Sequence, residues 1–264
     1  MKAIRNLFAA LFALTAVAQA HAGSACTEVP PDASNVMRAL ELAQKSSKAL
    51  DDSGAKVALI ARAGQDLSKY HLTYSHMAFV WRQAAGQPWS VVHELNRCGT
   101  ADSSLFDEGL GNLFLDNMYS YRTLIVIPSA QTQERMAAIL ASGRMKTFHD
   151  RHYNMLAYPF STDFQNSNQW VLETLSAAMA RDTVIANRTD AQAWERLAGY
   201  RPTTLEVPML TRLGADVGRA NISFNDHPFG DRMAGHIDTV TVESVVNFMA
   251  RRDPELRRIE LAVN

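Results

Sequence analysis

Tyr74-Ser75-His76-Met77-Ala78-Phe79-Val80-Trp81 alternates in a way that makes this chain a sheet protein at its centre. His76, Ala78 and Val80 fall on one side of an extended chain and Met77, Phe79 and Trp81 on the other, the period-two pattern of a strand. Three further stretches read as strands: 56–63 is β-branched and aliphatic, 89–95 is rich in valine, and 123–127 is an apolar run closed by Pro128. Short connections between them predict an antiparallel sheet.

Helices flank these strands. Val36, Leu40, Ala43 and Leu50 share a helical face over 34–52, with Gly54 as the stop. Ser129 is placed to cap a helix carrying Met136, Ile139 and Leu140, which Gly143 ends. Another helix is expected over 167–181, and shorter ones over 190–198 and 241–252, the last followed by Pro254. The fold class is therefore α+β, an antiparallel sheet packed against helices. Segments 96–120 and 200–238 read as long loops punctuated by glycine and proline; loops of that length are functional or contain short elements of their own.

The first 22 residues have the layout of an export signal: Lys2 and Arg5, an apolar run from Leu7, and Ala20-His21-Ala22 as a small-x-small cleavage site. A single domain over 23–264 is expected, in the periplasm or outside the cell. No later apolar stretch reaches the roughly 18 residues of a membrane span. Cys26 follows Gly23-Ser24-Ala25, which invites a lipidation reading, but glycine three places before the cysteine favours simple cleavage. In an oxidising compartment a disulfide between Cys26 and Cys98, the only two cysteines, is the plain expectation. A formal charge of −1 without a basic cluster leaves no electrostatic footprint for nucleic acid.

Two polar blocks stand out for chemistry. One is His76 on its strand, followed on the next strand by His93-Glu94, of which only one can face His76 if the pair is antiparallel. The other is Gln165-Asn166-Ser167-Asn168-Gln169-Trp170 at a helix start, where backbone N–H groups favour a developing anion. A serine there, a histidine to take its proton and a polar group to orient the histidine make an acyl-transfer site.

The order of strand with Ser-His, strand with a polar residue, then Asn-x-x-x-aromatic-Val on a helix resembles the circularly permuted papain-like superfamily. That superfamily includes lecithin retinol acyltransferase and the NlpC-related envelope hydrolases. The resemblance implies His76 as base, His93 as orienting residue and Ser167 as nucleophile, with serine where the superfamily holds cysteine. Tyr74, Asn166, Trp170 and Glu94 are the expected cleft residues, and no cofactor is called for. The phrases Ala61-Arg62-Ala63-Gly64-Gln65-Asp66-Leu67, Tyr74-Ser75-His76, Val92-His93-Glu94-Leu95-Asn96, Cys98-Gly99-Thr100-Ala101 and Gln165 through Glu173 resemble a family of secreted proteobacterial proteins known as a domain of unknown function. That likeness implies membership and no activity.

Plainer readings compete at each position. Asn166 with Gln169 three residues on makes a capping box that needs no catalysis. His76 on a strand could be a satisfied core histidine, and Glu94 at a strand end a solvated charge. His149, Asp150 and His152, and Asp226, His227, Asp231, His236 and Asp238, are polar clusters that suggest a metal, a third and lesser reading because the His-x-x-x-His spacing of a helix-borne site is absent. The functional expectation is an acyl hydrolase or transferase acting on an amide or ester of an unknown envelope substrate; the alternative is a non-catalytic envelope binding protein that retains the cleft.

Overall fold

The computed structural model describes residues 32–116, 118–209, 212 and 220–263. In chain order the elements are α1 (Ala33–Ser53), β1 (Val57–Ala63), β2 (His76–Trp81), β3 (Ser90–Asn96), β4 (Ser103–Gly109), α2 (Leu110–Leu115), β5 (Ser120–Ile127), α3 (Ala130–Ala141), α4 (Ser167–Met179), α5 (Arg188–Leu197), β6 (Thr203–Glu206), α6 (Phe229–Ala234), β7 (His236–Thr239), α7 (Val242–Arg252) and β8 (Arg257–Ala262). Six strands form one antiparallel sheet in the order β4-β3-β2-β1-β5-β8, and β6 pairs with β7 in a separate two-stranded sheet. This is an α+β fold.

Alternation in β1 and β2 sorts the core into two layers. Leu59, Met77, Phe79 and Val92 join α3, α4 and α7 through Met136, Trp170, Leu175 and Phe248. Ala58, Ile60, Ala78, Val80 and Val91 join α1 and α2 through Leu42, Leu50, Leu113 and Phe114. Every residue of β1 and β2 is buried, because helices cover both faces of the sheet. Phe79 meets Trp170 edge-on with ring centroids 5.4 Å apart, an arrangement that contributes about 0.5–1.5 kcal/mol beyond the buried area.

The structure corrects several expectations. The buried stripe of α1 is Ala39, Leu42, Ala43, Ser46 and Leu50, while Leu40 is half exposed. The small side chains at 39, 43 and 46 form part of the buried face, a seam that counting large aliphatics misses. The segment 96–120 contains β4 and α2, and 200–238 contains β6, α6 and β7, so neither is a plain loop. Ser129 occupies the N-cap of α3 but its hydroxyl bonds Thr132 Oγ1 at 3.1 Å, and Asp253 Oδ2 instead accepts from the Ser129 N–H at 2.8 Å. Residues 1–22 and Cys26 lie outside the described residues, and with them the expected bridge to Cys98. Among the described residues no helix is long and apolar enough to cross a membrane.

Candidate functional site

β2 begins at His76 and α4 begins at Ser167, and the two starts are tied together. Asn168 Oδ1 accepts from the Met77 N–H at 3.0 Å, and Asn168 Nδ2 donates to the carbonyl of Ser75 at 3.3 Å. One amide side chain thus docks the first turn of α4 on the first peptide of β2. The His76 ring shares the sheet face of Ala78 and Val80, but as the first strand residue it also reaches the start of α4. Its Nδ1 lies 3.0 Å from Ser167 Oγ.

His93 meets the other side of the ring, with His76 Nε2 and His93 Nδ1 3.0 Å apart. The β2–β3 register pairs Phe79 with Val92 and Val80 with Val91. Continued by one step it sets Ala78 opposite His93, making His76 and His93 diagonal neighbours on one face. The small methyl of Ala78 leaves the space in which the rings meet. Glu94 points to the opposite face, which settles in favour of His93 the choice left open by the sequence.

Two further residues frame the histidines. Glu108 Oε1 on β4 lies 3.1 Å from His93 Nε2, without the alignment of a hydrogen bond. Arg62, opposite His76 in the β1–β2 register, donates to the carbonyl of Leu113 at 2.9 Å and pairs with Asp116. Burial holds His76 well below the usual histidine value of 6.5, and the nearby Arg62 charge and His93 add to the effect. Burial, then Arg62, holds His93 down to about 4, against the opposing pull of Asp116. Both rings are therefore neutral at pH 7.

Neutral rings constrain the protons. For Ser167 to donate to His76 Nδ1, the His76 proton must sit on Nε2, where it donates to His93 Nδ1. The remaining His93 proton is then on Nε2, facing Glu108. At the helix start, Asn166 Oδ1 accepts from the Gln169 N–H at 2.8 Å. The N–H groups of Ser167 and Asn168 occupy helix positions with no intrahelical acceptor and form part of the positive end of the α4 dipole.

The expected capping box is only half formed. Gln169 does not return a bond to the cap; its Nε2 donates to Pro159 O and Glu173 Oε1, both at 3.3 Å. Asn166 Nδ2 donates to Thr239 Oγ1 at 3.0 Å, so this residue is a brace and not a cleft wall. Trp170 is wholly buried in the core, its Nε1 donating to the Met145 carbonyl at 3.2 Å, which removes it from the cleft. Its aromatic ring belongs to the α4–sheet packing.

Tyr74 lines a cavity of about 450 Å3 that begins beside this site, and Ser75 and Asn168 form part of the same wall. Tyr153 is buried yet belongs to none of the apolar clusters; burial, with Glu94 nearby, raises its pKa, and Ser167 opposes that rise. Sequence reading missed Tyr153, Arg62 and Glu108. The alternation of β1, which places Arg62 with Ile60, was the signal available for one of them.

Glu94 is fully buried and not the solvated charge the sequence allowed. Ser103 lies beside it, but Ser103 Oγ bonds His149 Nε2 and the Asp150 carbonyl, leaving both Glu94 oxygens unpartnered. Burial pushes the Glu94 carboxyl up to about 8, with the charges of Glu173 and Asp150 reinforcing it and Ser103 and Arg188 opposing it. A raised folded pKa means stability present in full below 4.5 and lost as pH rises through 8. Between 4 and 6.5 His93 acts in the opposite sense, its depressed pKa making stability rise with pH. The Glu94 effect is thus clearest from pH 6.5 to 8, where it amounts to about 2 kcal/mol. Glu94→Gln is expected to make that decline shallower in urea unfolding measured across this range, the other buried acid, Glu195, keeping its own contribution; an unchanged slope would refute the buried neutral acid.

The expected polar clusters serve local structure. His152 Nδ1 and Asp150 Oδ1 are 3.0 Å apart, and Asp226 Oδ1 and His227 Nδ1 likewise 3.0 Å. His227 Nε2 lies 3.0 Å from the Asp238 carbonyl. No group of three or more His, Cys, Asp or Glu side chains able to hold a metal lies among the described residues.

Residues 49–249 match the model of a family described as "Uncharacterized protein conserved in bacteria (DUF2145)". The chain belongs to this family. The matched span includes Ser167, His76, His93, Arg62 and Glu108, so the site lies wholly within the family's domain. No curated protein and no solved structure matches.

Proposed function

We propose that the chain is an exported serine acyl hydrolase or acyltransferase of the cell envelope, built on a permuted papain-like core and acting on an amide or ester bond. The observation that carries this reading is the run Ser167 Oγ, His76 Nδ1, His76 Nε2, His93 Nδ1, with both contacts at 3.0 Å. Ser167 Oγ attacks the carbonyl carbon as His76 Nδ1 takes its proton. The carbonyl oxygen becomes an oxyanion facing the N–H groups of Ser167 and Asn168. As the tetrahedral species collapses, His76 gives its proton to the leaving amine or alcohol, and the acyl group stays on Ser167. Water, or an acceptor alcohol or amine, then attacks the acyl carbon and loses its proton to His76, which returns one to Ser167 Oγ.

His93 orients the ring by accepting from Nε2 and stabilises the imidazolium while it lasts. Arg62 opposes that charge, and the carboxylates of Asp116 and Glu108 oppose Arg62. Export follows from the Lys2-to-Ala22 segment, whose composition is that of a cleaved signal.

The test is covalent. A fluorophosphonate probe is expected to label the wild-type protein at Ser167, located by peptide mass mapping, and to leave Ser167→Ala unlabelled. Equal labelling of both proteins overturns the nucleophile. A second reading, a non-catalytic binding protein, is favoured by one observation: the cavity wall includes neither Ser167 nor His76. Absence of labelling in wild type, with a ligand retained in the cavity, would select it.

A further inference from the structure

We propose that the cavity beside the first turn of α4 takes a long aliphatic acyl chain, so that the bond presented to Ser167 is an ester or amide of that acyl group. This assignment of substrate class rests on the reading of Ser167 as the nucleophile. The cavity encloses about 450 Å3, within the range of small-molecule sites. It lies where the small sheet meets the main body: Leu205, Val207, Phe224 and Ile237 form the local core, with Leu72 and Leu156 packed against it.

The chemistry of the wall is one-sided. Leu67, Leu72, Leu156, Val207, Ile222 and Phe224 line it, and among the described residues no Asp, Glu, Lys, Arg or His does. A charged peptide or sugar acid placed there would lose its hydration with no counter-charge in return. A hydrocarbon chain loses nothing, and each methylene removed from water tightens binding about fourfold.

The end that carries Ser75, Asn168 and Thr239 is polar and adjoins the reaction centre, whereas Tyr70 packs on the small-sheet core. Ser75 precedes His76 and Asn168 follows Ser167 in the chain. Asn168 Nδ2 donates to the carbonyls of Ser75 at 3.3 Å and Val240 at 3.5 Å. Thr239, also in the wall, accepts from Asn166, the cap of α4. A bound acyl group therefore has its carbonyl at the polar end by Ser167 and its chain running toward the small sheet. An extended carboxyl-bearing or ammonium-bearing substituent would point the wrong way for this polarity.

Two measurements separate this assignment from the reaction itself. In the first, Ser167→Ala is titrated with cis-parinaric acid, an eighteen-carbon fatty acid that fluoresces in apolar surroundings. Saturable one-to-one binding is expected, weakened at least tenfold when Leu156→Trp or Leu72→Trp is added to that background. Both leucines line the cavity and are partly exposed; because they also pack on the small-sheet core, an unchanged thermal melt checks each fold. No saturable binding, or equal binding in both tryptophan variants, overturns the proposal.

In the second, the wild-type protein is offered p-nitrophenyl esters from acetate to dodecanoate. A rise in kcat/KM of at least tenfold along the series, reduced in Leu156→Trp, supports the acyl-chain site. Ready hydrolysis with no dependence on chain length overturns it and leaves the nucleophile intact. Parinarate binding that the tryptophans block, together with no ester hydrolysis, supports the ligand class and overturns the reaction.

Discussion

Replacing His76 by alanine is expected to slow fluorophosphonate labelling of Ser167 by about 100- to 10,000-fold at pH 7, the range a general base contributes. The serine hydroxyl is far from ionising by itself, so its attack depends on a proton acceptor already in contact. His76 Nδ1 is that acceptor at 3.0 Å. The wild-type rate should also have an uncommon pH profile. Burial keeps His76 neutral well below 6.5, so the rate stays level as pH falls to 6.5 and drops only as the ring at last takes a proton. Labelling rates from about pH 8 to 4 test this. A profile half lost at 6.5 would place His76 in water, contrary to its burial, and labelling of the alanine variant at the wild-type rate would remove it from the reaction.

Loss of Arg188 should cost the most stability. Its Nε donates to Glu173 Oε2 at 2.8 Å, and its remaining nitrogens reach Asp150 Oδ2 and the carbonyls of Ser161, Thr162 and Phe164. Glu173, buried in α4, also accepts from Gln165 and Gln192. Glu195 lies in the same buried region, but burial and repulsion from Glu173 raise its pKa well above the usual value and keep it protonated. The buried charge is thus balanced by Glu173 and Arg188 together. Arg188→Met leaves Glu173 without its counter-charge and takes the Arg188 donors from the carbonyls of Thr162 and Phe164, while Gln192 Nε2 still serves Ser161 at 3.0 Å, for a loss of about 3–5 kcal/mol in urea unfolding. A loss below about 1 kcal/mol would mean that the network is solvated. Removing both charges, as Arg188→Met with Glu173→Met, is expected to recover only part of the loss, because the carbonyls of Thr162 and Phe164 still lack the Arg188 donors.

Arg188 also bears on the site. The carbonyls it holds belong to the segment leading into Asn166 and Ser167, so its bonds set where α4 begins. The polar face of that helix is buried all round: Ser167, Asn168, Gln169, Glu173 and Ser176 lie inside with Trp170, Val171 and Leu172. Burying so many polar groups in a central helix requires partners for most of them, and the loops before α4 and the start of α5 supply these, leaving Gln169 Oε1 and Thr174 Oγ1 unpartnered.

Much of the architecture was legible because it rests on local pattern. The four inner strands have alternating or continuous apolar character, and their order in the chain makes an antiparallel sheet the simplest product. The boundaries of α4, α5 and α7 follow from capping residues, with Asn166, Asn187 and Thr241 each accepting a backbone N–H. The elements that escaped notice have little local signature. β4 is mostly exposed or half exposed and reads Ser-Ser-Leu-Phe-Asp-Glu-Gly, and β6 and β7 have four residues each. Strands that short or that polar exist because a partner supplies the ladder bonds.

Read along the chain, His76 lies on a strand, Ser167 opens a helix, and His93 and Glu94 point to opposite faces. Those are properties of backbone period and capping, which neighbours along the chain decide. Only the tertiary structure decided that Asn168 pins those two starts together, that His93 and not Glu94 joins the pair, and that Arg62 and Glu108 surround it. It likewise decided that Trp170 is core and Glu94 a buried acid. Such outcomes depend on residues tens of positions apart sharing one small volume from which water is excluded, and a charge or a proton responds to that volume rather than to its neighbours in the chain.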